Sequence, residues 1–169
     1  YLAGMAVVVA LWRAFPTASL TAFLILTLVH FGSGDALTTP KLSRWLRWSE
    51  MLARGAVVLT FPAVFSRQEV QQLFAYMIPE TGALALVAVL AALAPVVGLA
   101  LVCCLSGSLL AFVRRKHALD AARMVELPAL AGLFVLLPAL LAFAVYFNFL
   151  HSIRHLQRAG RVWRRRRAL

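Results

Sequence analysis

The stretch "LPALAGLFVLLPALLAFAVYFNFL", residues 127 to 150, carries no charge and is interrupted only by prolines and one asparagine. It has the length of one membrane-crossing helix, since a bilayer core of about 30 Å takes roughly 20 apolar residues. It can equally be two passes that meet at Pro138. The charges on either side decide between them. As one crossing, it would put the Arg114-Arg115-Lys116 cluster and the arginine-rich C-terminus on opposite faces, against the cytoplasmic bias of basic residues. Two crossings, a fifth helix over about Leu119 to Leu137 and a sixth over about Pro138 to Arg158, remove the conflict. One side then receives Arg13 and Arg67. The other receives Lys41, Arg44, Arg47, Arg54, Arg114, Arg115, Lys116, Arg123, Arg154 and the six arginines from Arg158 to Arg167, a split of 15 to 2. The connecting turn "LLPALL" has no polar side chain for its backbone, so it must be covered by protein.

The composition fixes the environment. With 63% hydrophobic residues, mean hydropathy +0.86 and six acidic side chains in 169, the chain lacks the polar surface of a water-soluble globule. Barrel-type alternation is absent, so helices are the spanning elements. The expected fold class is all-α, a polytopic transmembrane helix bundle over 1–158 followed by a basic cytoplasmic tail over 159–169. The net charge of +11 does not point to nucleic acid, because the basic residues lie between and after apolar segments, where cytoplasmic helix ends are found. Tyr1 already lies inside an apolar run, which reads as a chain lacking preceding helices. The adjacent Cys103 and Cys104 read as small packing residues.

Four further apolar elements precede the last run. Leu2 to Leu11 is the first, and about Pro16 to Phe31 is the second, with "GSGD" (32–35) and "TTPK" (38–41) breaking it. "KLSRWLRW" suits the headgroup layer, and a third helix covers about Glu50 to Phe65. "SRQEVQQLFAYMIPE" (66–80), including Glu69, is polar enough for the surface. A long fourth helix runs from Gly82 to Val113 and contains Pro95.

This topology brings three histidines to one level. His30 ends helix two on the cytoplasmic side, and helix six delivers His151 and His155 toward the same side. Residues 151 and 155 are four apart, so an α-helix presents both from one face, where neutral imidazoles can share Fe, Zn or Cu. Asp35 and Glu126 lie near that level and are candidate hydrogen-bond partners for the ligands' second nitrogens. The plainer alternatives are an interfacial histidine, which is the reading for His117, and a helix cap for Asp35. Arg154 and the run 164–167 read as lipid-phosphate anchors. Phe143, Tyr146, Phe147 and Phe149 are either packing residues or the lining of an apolar substrate tunnel. No HExxH motif is present, and four histidines are too few for a His-rich di-iron cluster.

"HFGSGD" (30–35) together with "LLPALLAFAVYFNFLHSIRH" (136–155) resembles the Brp/Blh family of membrane β-carotene dioxygenases, marked by HFGxxD-like and YFxxxHSxRH-like elements. More weakly, the similarity extends from about Tyr1 to Arg158. The resemblance implies a multi-helical enzyme of a bacterial or archaeal cell membrane, and the 15 to 2 charge split puts its C-terminus on the cytoplasmic side. It further implies a non-haem Fe(2+) held by histidines, using O2 to split the central double bond of β-carotene into two retinal molecules, the chromophore of microbial rhodopsins. His30, His151 and His155 match the family's ligand histidines, and no catalytic residue beyond the metal ligands is implied. Two departures stand out: no "PHGxxD"-like element is present, and Asn148 stands where relatives commonly have a small residue or Cys. The contrasting class is a non-enzymatic membrane protein, such as a rhodopsin-assembly factor, retinal carrier or small transporter subunit. Stoichiometric iron separates the two.

Overall fold

A computed structural model describes residues 1–35, 44–114, 121–153 and 156. Among these residues the chain is entirely helical: α1 (Leu2–Ala14), α2 (Pro16–Asp35), α3 (Arg44–Phe65), α4 (Arg67–Ala75), α5 (Glu80–Val113), α6 (Ala121–Leu136), α7 (Ala139–Val145) and a π-helical turn (Tyr146–His151). The proposed boundary between the helical domain and a basic tail at 158/159 lies outside the described residues. Local chemistry sets several starts. Pro16 opens α2, where its missing N–H costs nothing. Glu69 and Glu80 place negative charge in the first turns of α4 and α5, at the positive ends of the helix dipoles.

Two apolar clusters fill the interior and define its ends. One gathers Leu20, Leu24, Ala63, Val70, Phe74, Ile78, Ala83, Val87 and Ala139, thus joining the start of α2, the end of α3, α4, and the starts of α5 and α7. The other gathers Phe31, Ala53, Val57, Leu101, Cys104, Leu127, Phe134, Tyr146 and their neighbours, joining the end of α2, the first half of α3, the second half of α5, α6 and the π turn. Chain direction follows. α6 starts beside α3 through Glu126 and Arg54 and ends beside residues 64–69, and α7 starts beside Glu69 and returns to place His151 against α2. The 127–150 run is therefore two antiparallel passes, with the break at Leu137 and Pro138.

The turn "LLPALL" is not covered as expected, since Leu136, Pro138, Leu140 and Leu141 are exposed and Ala139 alone of the six is buried, but its backbone finds a side-chain partner on α4. Pro138 is the N-cap of α7, and the Glu69 carboxylate accepts the backbone N–H groups of Ala139 (2.6 Å) and Leu140 (3.0 Å). Glu69 is thus not the surface residue the sequence implied. It lies 70 positions from the helix start it satisfies, a pairing with no local signature.

Three further expectations are corrected. "GSGD" does not break α2, which stays helical through Asp35. Its glycine serves packing: a Cβ on Gly32 would overlap the carbonyl oxygen of Met51, and one on Gly55 would overlap that of Leu28. Glycine on both helices is what lets the α2 and α3 backbones touch. The basic, Trp-rich segment is not separate from the third helix, because α3 begins at Arg44 and carries Trp45 and Trp48 exposed. Arg54, counted above with the cytoplasmic basic residues, is 1% exposed and ion-paired inside the bundle.

The outer surface is apolar. Along α5, Val89, Leu93, Val96, Leu99 and Val102 are exposed, and so are Phe23, Leu26 and Val29 on α2. Among the described residues, two helices are long and apolar enough to cross a membrane, over Pro16–Ser33 and Glu80–Gly107. Pro95 lies inside the second, which runs on as one helix.

Candidate functional site

His30 and His151 meet. α2 carries His30 to its last turns, α7 and the π turn bring His151 back from the opposite end, and the two ring centroids stand 5.4 Å apart. His30 is exposed and His151 is buried. Aromatic rings fix His151 on several sides: Phe31 edge-on at 4.8 Å, Phe147 stacked at 5.5 Å and Tyr146 tilted at 6.0 Å. Contacts at these separations are attractive beyond the area they bury, and together they leave the imidazole little rotational freedom.

His30 lines a cleft, and His151 lies buried behind it against Phe31 and Phe147. A volume of about 730 Å³ is lined by Phe23, Leu24, Leu26, Thr27, His30, Phe31, Leu59, Phe143 and Phe147. Apart from His30 and the Thr27 hydroxyl its walls are hydrocarbon, and its size is in the range of small-molecule sites. Of the four aromatics singled out in the sequence, Phe143 and Phe147 line this cleft. Tyr146 is buried behind it, against Phe31 and Phe134, and Phe149 is 69% exposed. The α2 side of the cleft was not anticipated. Its signal was the spacing of Phe23, Leu26, Thr27 and His30, three to four residues apart along one helix face.

The spacing of the two imidazoles is the size expected of ligands that share one metal ion. With metal–nitrogen bonds of about 2.1 Å and an inter-ligand angle near tetrahedral, ring centroids fall roughly 5 Å apart, and the observed 5.4 Å agrees. Two histidines leave most of a coordination sphere for other donors. Among the described residues, no three His, Cys, Asp or Glu side chains cluster as a metal site. His155 and Arg154 lie outside the described residues. Asp35 ends α2, and its side chain lies outside the described residues.

Glu126 takes part in a buried ionic group. Arg54 Nε donates to Glu50 Oε1 at 3.0 Å, and Arg54 Nη2 donates to Glu126 Oε2 at 3.4 Å. Glu50 is 2% exposed. Arg54 Nη1 is buried with no hydrogen-bond partner among the described residues. The group joins α3 to α6 at the level where α3 packs on α2. Sequence reasoning overlooked Glu50 and Arg54. Their signal was an i,i+4 Glu–Arg pair inside an apolar helix, where isolated charges are costly.

Over its whole length, residues 1–169, the chain matches the sequence family described as "Beta-carotene 15,15'-dioxygenase", and it belongs to that family. A curated relative of that name, from uncultured marine bacterium 66A03, is 30% identical over 146 residues, which are 86% of this chain. The chain spans about half the length of that relative, 49%. No solved structure matches.

Proposed function

We propose that the protein containing this chain cleaves the central double bond of β-carotene with O2 at a non-haem Fe(2+), giving two molecules of retinal. The observation that carries this reading is the His30–His151 pair, of which His30 lines a hydrocarbon-walled cleft, in a chain belonging to the β-carotene dioxygenase family. His30 and His151 would hold the iron, with His155 as a third ligand. The iron would supply the redox chemistry by which O2 reacts with an alkene. The polyene lies along Phe23, Leu26, Phe143 and Phe147, held by burial of its hydrocarbon and screened there from water. Phe31 and Phe147 keep His151 from turning away. Each product half gains one oxygen atom and keeps its hydrogens, so the overall balance requires no proton donor or acceptor from the protein. Such a reaction suits a cleft with one hydroxyl and no carboxylate.

We place the protein in the cell membrane as a multi-pass protein with its C-terminus cytoplasmic. The apolar outer surface and the segregation of basic residues support this. Reporters fused after Lys116 and after Leu169 should both read cytoplasmic. A periplasmic reading after Leu169 would contradict the two-pass arrangement in the membrane.

The test of function is expression of the whole protein in β-carotene-accumulating bacteria. Retinal should form and colour should fade, and the purified protein should hold stoichiometric iron. His30→Ala, His151→Ala and His155→Ala should each abolish retinal formation with the protein still membrane-inserted, and His117→Ala should be nearly silent. Iron and activity persisting in His151→Ala would overturn the assignment.

A further inference from the structure

The segment that delivers His151 is not an ordinary α-helix. Tyr146–His151 forms a π turn, and the backbone N–H of Ser152 reaches back five residues to the Phe147 carbonyl. Such turns hold one residue more than an α-turn and occur frequently at functional sites. Their effect here is one of phase. In an α-helix of about 100° per residue, Tyr146 and His151 would point roughly 140° apart. Instead both are buried, at 1% and 5% exposure, and their rings lie 6.0 Å apart. The extra residue is thus absorbed without rotating His151 out of the core.

Two polar side chains attach to this turn. Exposed Asn148, polar on an otherwise apolar face, donates from Nδ2 to the Ala144 carbonyl at 2.8 Å. Ser152 donates from Oγ to the Phe147 carbonyl at 2.7 Å, the same oxygen its backbone N–H engages. Both bonds are directed at carbonyls bordering the widened backbone, where α-helical partners are displaced.

We infer that Asn148 and Ser152 are positioning residues that hold the π turn open, and that this turn keeps His151 in phase with Tyr146 and directed at His30. Without them the turn relaxes toward the α-helical register with its residue count unchanged, and His151 rotates away. The inference concerns the same histidine pair as the proposed function and relies on that reading only for the metal.

A substitution and a deletion should have opposite effects. In the whole protein, Asn148→Ala with Ser152→Ala should weaken Co(2+) binding, followed by the visible absorption of the bound ion, about 10- to 100-fold, the usual loss when a ligand's support is removed. Removing residue 148 altogether in the Ser152→Ala background should restore binding. With one residue fewer, a plain α-helix puts His151 about 40° from Tyr146, on the same face. A merely destabilising change would not be rescued by a deletion. A second readout needs no metal: with Cys103→Ala and Cys104→Ala, paired His30→Cys and His151→Cys should be bridged by a short bifunctional thiol reagent. Bridging should fall with the two alanines and return with the deletion. Bridging unaffected by the alanines, or lost on deletion, would overturn the inference. A wild-type protein that binds no Co(2+) yet shows this bridging pattern would overturn the metal assignment and leave the positioning role intact.

Discussion

The two ends of the bundle use their acidic side chains differently. At the α4 end, one carboxylate, Glu69, serves the backbone by accepting the first N–H groups of α7. At the histidine end, Glu50 and Glu126 converge on the buried guanidinium of Arg54, close to where α2 and α3 touch through glycine. The first arrangement satisfies groups that any helix start leaves over. The second keeps charge inside an apolar interior, which is costly unless it is paired and is characteristic of functional regions. The carboxylates at one end thus pair with a buried cation and tie α3 to α6, and the one at the other end completes a helix start.

If this contrast holds, breaking the ionic group should have the largest effect. Arg54→Ala leaves two carboxylates facing each other without their cation and should cost about 3–5 kcal/mol, seen as loss of membrane-inserted protein or a lowered Tm in detergent. Adding Glu50→Gln and Glu126→Gln should recover much of the loss. No recovery would mean that the arginine acts through packing alone. Next comes Gly55→Ala. Alanine gains about 1 kcal/mol in helix propensity, but overlap with the Leu28 carbonyl should cost about 1–3 kcal/mol as overpacking. The net expectation is a lower Tm together with weaker Co(2+) binding, because α2 carries His30. The smallest effect belongs to the α4 end. Glu69→Ala should cost about 1–2 kcal/mol, as for other lost helix-start partners, and leave Co(2+) affinity unchanged in the protein that folds. Glu69→Gln should cost less, since its amide oxygen can still accept. A Glu69 variant that lost metal binding at full stability would erase the distinction between the ends.

The architecture was legible where charge and apolar length decide it. The break at Pro138 and the approach of His30 to His151 follow from counting basic residues on each side, and the long helix α5 follows from its apolar length. Missed features depend on contacts distant in sequence. A Gly-Ser-Gly-Asp string reads as a break by local propensity, yet tertiary packing against Met51 keeps it helical. Arg54 looked like another cytoplasmic charge because sidedness counts every arginine alike, and only its spacing from Glu50 hinted at burial. The π turn has no periodicity of its own, and an i,i+4 argument through 151 and 155 assumes a uniform helix from residue 151 through residue 155.

The Glu69 contact also bears on how the last pass is seated. The amide groups at the start of α7 find their acceptor on α4, 70 residues earlier in the chain. The apolar cluster that surrounds Ala139 is likewise built from α2, α3, α4 and the head of α5. Seating of α7 thus rests on segments far before it in the chain, and so does the delivery of His151 to His30.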